Sequence, residues 1–501
     1  SASLDERAAH AFERELDQKI NHLPLSALDT SQGRDLIDDV TYVSKTVLYF
    51  LRDVTHMLMA VYTLAVALAA LVKYNVHFTI LFVALAVPGI IVDKRFDLKH
   101  EKLRMTKAPD VRKANYYKWM LIDALPGRDV RMYGLAEALQ GRYHEEKSAY
   151  RKAVDRLARK KLRANLMTEA LMRSGEIVFI AFVCRQALDG DITIGDASLY
   201  TGLAISFGGA LRQSGKLLTT MLLDTVNQME RFFEFHHMPC PQEANGGHAV
   251  KTFQCLEFDN VYFRYPMQEE YVLKGVSFRL NKGDRLSIIG INGAGKTTII
   301  KLMLGLYEVE SGCIRINGHP LKECNITDVH NLYSVLFQQF PQYSLSLKEN
   351  IALSDISGIQ EKGRIRLAME KSGIWDAMGE FIDKDMTKNF DDTGMELSKG
   401  QWQKVALART YFKEAPVIVL DEPSSSLDAE AEDYVFGNYC SLSGQRTGIM
   451  ISHRIYGARF STKIVVLDGG KIVETGSHDE LVKRDGFYAQ LYRLQKEKYA
   501  V

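Results

Sequence analysis

The chain has almost no net charge: 63 basic and 62 acidic side chains leave +1 over 501 residues. Without an overall positive field, nucleic acid is not indicated as a partner. Cysteine is scarce as well. Six are scattered at Cys184, Cys240, Cys255, Cys313, Cys324 and Cys440, with no CxxC pair. This pattern excludes a dense disulfide framework, argues against a metal site and reads as buried or cytosolic thiols. His236, His237 and His248 are too loosely arranged to propose a metal. There is no initiator Met and no apolar signal core among the polar opening residues, so a fragment, a processed chain or a trimmed one is expected. A mean hydropathy of −0.14 looks ordinary for a soluble protein. It hides two unlike halves, one rich in apolar stretches before residue 225 and one globular and α/β in pattern after 250.

What is present begins with RLSIIGINGAGKTTII at 285–300. A short apolar run leads into Gly290, Asn292, Gly293, Ala294 and Gly295, then Lys296, Thr297 and Thr298. This is a phosphate-binding loop between a strand and a helix. Its glycines turn backbone N–H groups toward a polyphosphate, Lys296 reaches the β and γ phosphates, and Thr297 holds Mg2+. The helix N-terminus adds its positive end. A merely structural Gly-rich turn fits poorly, because Gly290, Gly295, Lys296 and Thr297 fill every fixed position.

The second signal is PVIVLDEP at 416–423. A buried strand ends on two adjacent acids, Asp421 for the Mg2+ shell and Glu422 as general base for the attacking water. Gln338 follows a short strand, where its amide oxygen can ligate Mg2+ or sense a water. Ser398 and Gly400 lie in a polar turn before an amphipathic helix and can present donors to an anion. His453 follows the strand 449–451 and is placed at the γ phosphate. Tyr265 lies 25 residues before Gly290; an aromatic there either stacks on a purine or packs in the core.

In the first half, 54–72 has no formal charge apart from any proton on His56, and is close to the roughly 20 residues that span hydrocarbon. With 78–92, bent at Pro88, it reads as a transmembrane hairpin. Further spans are expected at about 167–188 and at 197–223. Arg173, Glu176, Arg185, Arg212 and Lys216 either line a polar translocation path or mark helix ends outside the membrane. The basic residues clustered after 93 and before 164 mark the cytoplasmic side. Between them, 111–127 mixes aromatics with charges, and is either a short docking helix or an amphipathic helix against the bilayer.

Over residues 8–497, and most specifically 253–480, the chain resembles a half-transporter of the ATP-binding cassette exporter family. Gly290–Thr297 match the Walker A loop, Tyr265 the adenine-stacking aromatic and Gln338 the Q-loop glutamine. Asp421 and Glu422 match Walker B and its catalytic glutamate, Ser425–Asp428 the D-loop, and His453 the switch histidine. Ser398, Gly400 and Gln401 match the signature, with Lys399 replacing a family glycine. The resemblance implies an α-helical exporter-type transmembrane domain lacking the first two spans, followed by an α/β P-loop ATPase cassette. It implies domains at 1–235 and 251–501 joined by a linker at 236–250. Catalysis is expected from Glu422, His453 and Lys296, with Mg2+ at Thr297, Gln338 and Asp421. ATP is expected to contact Tyr265, Gly290, Asn292, Gly293, Ala294, Gly295, Lys296, Thr297, Thr298, Gln338 and Asp421, and Ser398, Gly400 and Gln401 across a dimer. The expected partners are a second half-transporter subunit, the lipid bilayer and a transported substrate, with no nucleic acid. The expected place is a bacterial cell membrane, multi-pass, with the cassette in the cytoplasm. The function implied is ATP-driven export of a peptide, lipid or lipophilic small molecule by alternating access. The alternative is an importer of a small ligand such as a metal chelate or cofactor. A soluble cassette ATPase is opposed by the apolar runs, and a non-hydrolysing regulator by Glu422. Residues 22–36 resemble the first cytoplasmic coupling loop and 111–134 the second, with 110–122 the coupling helix and Tyr116, Tyr117 and Trp119 its contacts.

Overall fold

The computed structural model describes residues 2–220, 226–238, 247–390, 392–423, 429–443, 446–453 and 455–499. The D-loop match at 425–428 and Cys240 lie outside them, as does most of the linker. The described chain forms two compact units: Ser1–Ile20 with Asp35–Met238, and Asn21–Arg34 with Pro239–Val501. The segment 21–34 thus packs with the cassette, although in sequence it interrupts the first half.

The first unit is helical: α1 (Ala2–His22), then, past the short α2 (Leu25–Leu28) of the second unit, α3 (Ser31–Tyr74), α4 (Val76–Ile122), α5 (Ala124–Met132), α6 (Ala136–Asp189), α7 (Ile194–Thr220) and α8 (Val226–His236). Among the described residues, two segments are long and apolar enough to cross a membrane, Val54–Tyr74 in α3 and a stretch of α4. Only 17% of each apolar window is buried within the chain, so leucines, isoleucines and valines face outward, as lipid contact requires. Asn75 makes the hairpin between them by capping α4, its Oδ1 accepting from the N–H groups of His77 at 3.0 Å and Phe78 at 3.3 Å. The expected span at 167–188 falls in α6 and the part of 197–223 up to residue 220 in α7, the rest lying outside the described residues; both helices pack on α4 around Phe82, Phe179, Val183, Ala204 and Phe207.

At 1.5 Å per residue, a 47-residue helix such as α4 is about 70 Å long and must project well beyond a 30 Å hydrocarbon layer. Its projecting part is tied to α6 by Lys161, whose Nζ lies 2.6 Å from Asp97 and 3.6 Å from Asp93. Here the structure differs from the expected coupling helix. Residues 110–122 are the last turns of α4, and the short separate helix is α5. The break comes at Asp123, whose extended backbone leaves α4 and whose Oδ1 accepts from Leu125 N–H at 3.0 Å, starting a new helix. A local N-cap overrides the continuing amphipathic pattern.

The described residues of the second unit form two sheets. An antiparallel sheet has the order β2-β1-β4-β5, from β1 (Cys255–Phe263), β2 (Leu273–Asn281), β4 (Ser311–Ile316) and β5 (His319–Pro320). The main sheet has the order β10-β9-β3-β8-β7-β6, from β3 (Arg285–Gly290), β6 (Tyr333–Leu336), β7 (Val417–Asp421), β8 (Thr447–Ile451), β9 (Lys463–Asp468) and β10 (Lys471–Gly476). β9, β3, β8, β7 and β6 run parallel, with β10 antiparallel at the edge. Strands buried on both faces explain the unbroken apolar runs such as PVIVL. Their shared direction puts the carboxyl ends of β3, β8, β7 and β6 side by side along one sheet edge, where α/β folds build their sites.

Candidate functional site: a nucleotide-binding edge

After β3 the loop closes on α9 (Lys296–Met303). Gly293 and Gly295 take φ of 83° and 98°, a region that penalises any side chain. Gly290 serves differently: a Cβ there would lie 2.3 Å from the carbonyl oxygen of Leu467 on β9. Ala294 is buried, whereas Asn292 and Gly293 are exposed at the loop tip. Lys296 is buried, and its Nζ donates to the carbonyls of Gly290 and Ile291, both at 2.9 Å. Burial pulls the Lys296 ammonium below its ordinary pKa, opposed by the charges of Glu422 and Asp421.

Thr297, in the first turn of α9, meets Asp421 at the end of β7, Oγ1 donating to Oδ2 at 2.9 Å. The other oxygen, Oδ1, is buried without a hydrogen-bond partner among the described residues. Burial is the main reason that the Asp421 pKa rises from 3.8 to about 6. A carboxylate with one hydroxyl neighbour and one orphaned oxygen has the hard-oxygen chemistry that Mg2+ prefers.

Glu422 sits one residue further, at φ 51°, in the left-handed region. Such a conformation costs a non-glycine residue roughly 1–2 kcal/mol and is held by its surroundings. Its N–H donates to Ile451 O at 2.9 Å, and Gln403 Nε2 donates to the carbonyl of Pro423. The carboxylate is bracketed: Gln338 Nε2 donates to Oε2 at 2.8 Å, and His453 Nδ1 lies 3.3 Å from Oε1. Gln338, expected to ligate metal, thus turns its side-chain amide to Glu422.

Tyr265 is braced rather than free. Its OH lies 3.1 Å from Thr298 Oγ1, Tyr307 and Phe263 meet its ring edge-on at centroid distances of 5.3 and 5.1 Å, and Lys301 Nζ stands 5.0 Å over it. Ser398 and Gln401 form a capping box at the start of the helix Lys399–Phe412, each accepting from the other's N–H. Lys399 is that helix's first residue, in right-handed backbone, so a lysine fits there without strain. The hydrogen bonds described for Ser398 and Gln401 are with each other and within their helix, not with the phosphate loop.

The ABC transporter family model matches residues 273–425, which span the loop, Gln338 and the acid pair. The subtilin transport ATP-binding protein SpaT of Bacillus subtilis is 30% identical over 502 residues, covering 96% of this chain and 80% of that protein. The chain belongs to the ABC transporter family. Further relatives of this ABC transporter include the nisin transport ATP-binding protein NisT of Lactococcus lactis, 27% identical over 98% of this chain and 83% of that protein. An ATP-dependent lipid A-core flippase of Alkalilimnicola ehrlichii is 35% identical over 53% of this chain and 45% of that protein. Among solved structures, a bacterial Atm1-family ABC exporter with ATP bound superposes with a TM-score of 0.82, at 22% identity, over 99% of this chain and 86% of that one. The transporter couples an ATP-binding cassette to a helical membrane part of exporter type, and it carries out ATP-driven transport across a membrane.

Sequence reading missed several residues of the site. Gln403 holds the turn after Glu422 but lies in the amphipathic helix, where a glutamine carries no special signal. Asp29, in the segment 21–34, accepts a hydrogen bond from Tyr307 OH, and Leu25 packs against the cassette core. Nothing local in LPLSALDT points to that long-range partner.

Proposed function

We propose that this ABC transporter exports a peptide, working as a dimer of half-transporters in which each ATP lies between one subunit's phosphate loop and the other's Ser398, Gly400 and Gln401. The observation that carries the hydrolytic part is Glu422, bracketed by Gln338 and His453 beside the Thr297–Asp421 pair. Glu422 is positioned to take a proton from the attacking water. His453 and Lys296 stabilise charge on the γ phosphate, and Tyr265 supports the adenine. Thr297 and Asp421 would hold Mg2+, which when bound neutralises charge on the transferring phosphoryl group. Ser398 and Gln401 have no described bond to their own phosphate loop, in keeping with a partner across a dimer. ATP closure of the dimer biases the membrane helices outward, and hydrolysis resets them.

The peptide reading is supported by the two relatives that cover nearly the whole chain, which are named for the transport of subtilin and of nisin. A lipid or lipophilic molecule is the second reading, supported by the flippases, whose match covers about half of the chain. On this reading the membrane part is multi-pass in a bacterial cell membrane, and the proposed domains are 1–235 and 251–501 with a linker at 236–250. The test uses the full chain in proteoliposomes with Glu422→Gln as control. ATP added on the cassette side should drive a peptide, but not a lipid reporter, into the lumen. Glu422→Gln should bind ATP while kcat falls roughly 100-fold or more. ATP-driven movement in the opposite direction would establish the importer instead.

A further inference from the structure

The C-terminal helix Phe487–Tyr499 has a role that the ATP chemistry above does not use. Its first turn is pinned. Both oxygens of Glu474 on β10 accept backbone N–H groups there, from Phe487 at 2.6 Å and Tyr488 at 3.0 Å. Tyr488 is fully buried among Ile289, Ile455, Ala458, Ile464, Val466 and Leu481, and its OH lies 2.7 Å from His478 Nδ1. Two turns further, on the same helix face as Tyr488, stands Gln495. Its amide is used at both ends: Oε1 accepts from Ile455 N–H at 2.8 Å, and Nε2 donates to the carbonyl of His453 at 2.6 Å. One planar side chain therefore fastens the main chain that carries His453 to a helix that is itself anchored to the sheet edge. The imidazole thereby lies 3.3 Å from Glu422.

We propose that Gln495 is a positioning residue for His453, and that the C-terminal helix transmits its own seating to the ATP site through this amide clamp. The inference rests on His453 acting at the γ phosphate. An amide is suited to the task because it alone, among side chains of this length, offers an acceptor and donors in one plane. Losing it leaves a peptide N–H and a peptide carbonyl beside the site without their partner, and lets the histidine drift by a fraction of an ångström, enough to slow a positioned proton or charge contact.

The test is a double-mutant cycle on the full chain purified in detergent. Gln495→Met keeps the volume and removes both hydrogen bonds, whereas Gln495→Glu keeps only the acceptor for Ile455. Gln495→Met should lower kcat for ATP hydrolysis roughly 10-fold, with the KM for ATP unchanged within about twofold. Gln495→Glu should fall between it and the wild type. Combined with His453→Ala, Gln495→Met should add nothing further, since both act through one contact. A wild-type kcat in Gln495→Met, or a loss that multiplies with that of His453→Ala, overturns the clamp. A wild-type kcat in His453→Ala overturns the assignment of the histidine and the clamp with it. If Gln495→Met does not purify folded, the same cycle run with Gln495→Glu decides between these outcomes.

Discussion

Replacing Asp421 with asparagine should stabilise the nucleotide-free protein at neutral pH, and do so less in acid. In the folded chain Asp421 is 1% exposed, with Oδ1 unpartnered among the described residues, and its pKa stands at about 6 against an ordinary 3.8. The folded-state pKa is raised, so the proton favours the fold: the favourable contribution is complete below the unfolded value and is lost as pH rises through the folded one. At 1.36 kcal/mol per unit, the gap makes the buried charge cost about 3 kcal/mol at pH 7.5 and roughly half that at pH 5. Asparagine keeps an acceptor for Thr297 and carries no charge, so it should relieve that cost. The assay is guanidinium unfolding in EDTA without nucleotide at both pH values, followed by the fluorescence of Trp402, which is buried in the cassette. Adding Mg2+ and ATP should reverse the order, because the wild-type carboxylate then has its cation. A stabilisation that is equal at pH 5 and pH 7.5, or a loss of stability at pH 7.5, would refute the account of a carboxylate held ionised at a cost for metal binding.

Three further outcomes are expected. Gly290→Ala should lower stability by about 2 kcal/mol or more, because its methyl would press on the β9 main chain, and the loss should show in unfolding even without ATP. Tyr307→Phe keeps the ring packed on Tyr265 but loses the hydrogen bond to Asp29, worth about 1.5 kcal/mol. Trypsin cleavage after Arg34 should accelerate roughly tenfold, and an unchanged rate would show that this contact does not hold the segment. Gln338→Ala should leave ATP affinity near wild type while lowering kcat about tenfold, because its side chain orients Glu422 rather than meeting Asp421, and a dominant rise in the Mg2+ requirement would reverse that conclusion.

Much of the site was legible because its chemistry is contiguous. The Gly290–Thr298 loop carries its turn, cation and hydroxyl within nine positions, and the 416–423 run announces both the buried strand and the acids at its end. The fold class followed from apolar runs in one half and strand–helix alternation in the other. Less legible were features in which a local pattern runs past its structural limit. Residues 110–122 look like a separate amphipathic helix, yet they continue α4, and the break waits for the Asp123 cap. The docking of 21–34 on the cassette depends on Asp29 and Tyr307, 278 positions apart. No window of sequence holds both.

By itself the sequence determined which atoms are available: a loop of N–H donors, an ammonium, a hydroxyl, two carboxylates and two lipid-facing helices. Each depends on neighbours within a turn or a strand, where spacing sets direction. Only the tertiary structure decided how they meet. Gln338, Glu422 and His453 converge because β6, β7 and β8 run parallel in register and end at one sheet edge, with Asp421 opposite Ile451. The same edge receives Gln495 from the last helix. Such contacts depend on chain closures of 31 to 84 residues, and the free energy that selects them comes from packing the whole sheet, which no local pattern encodes.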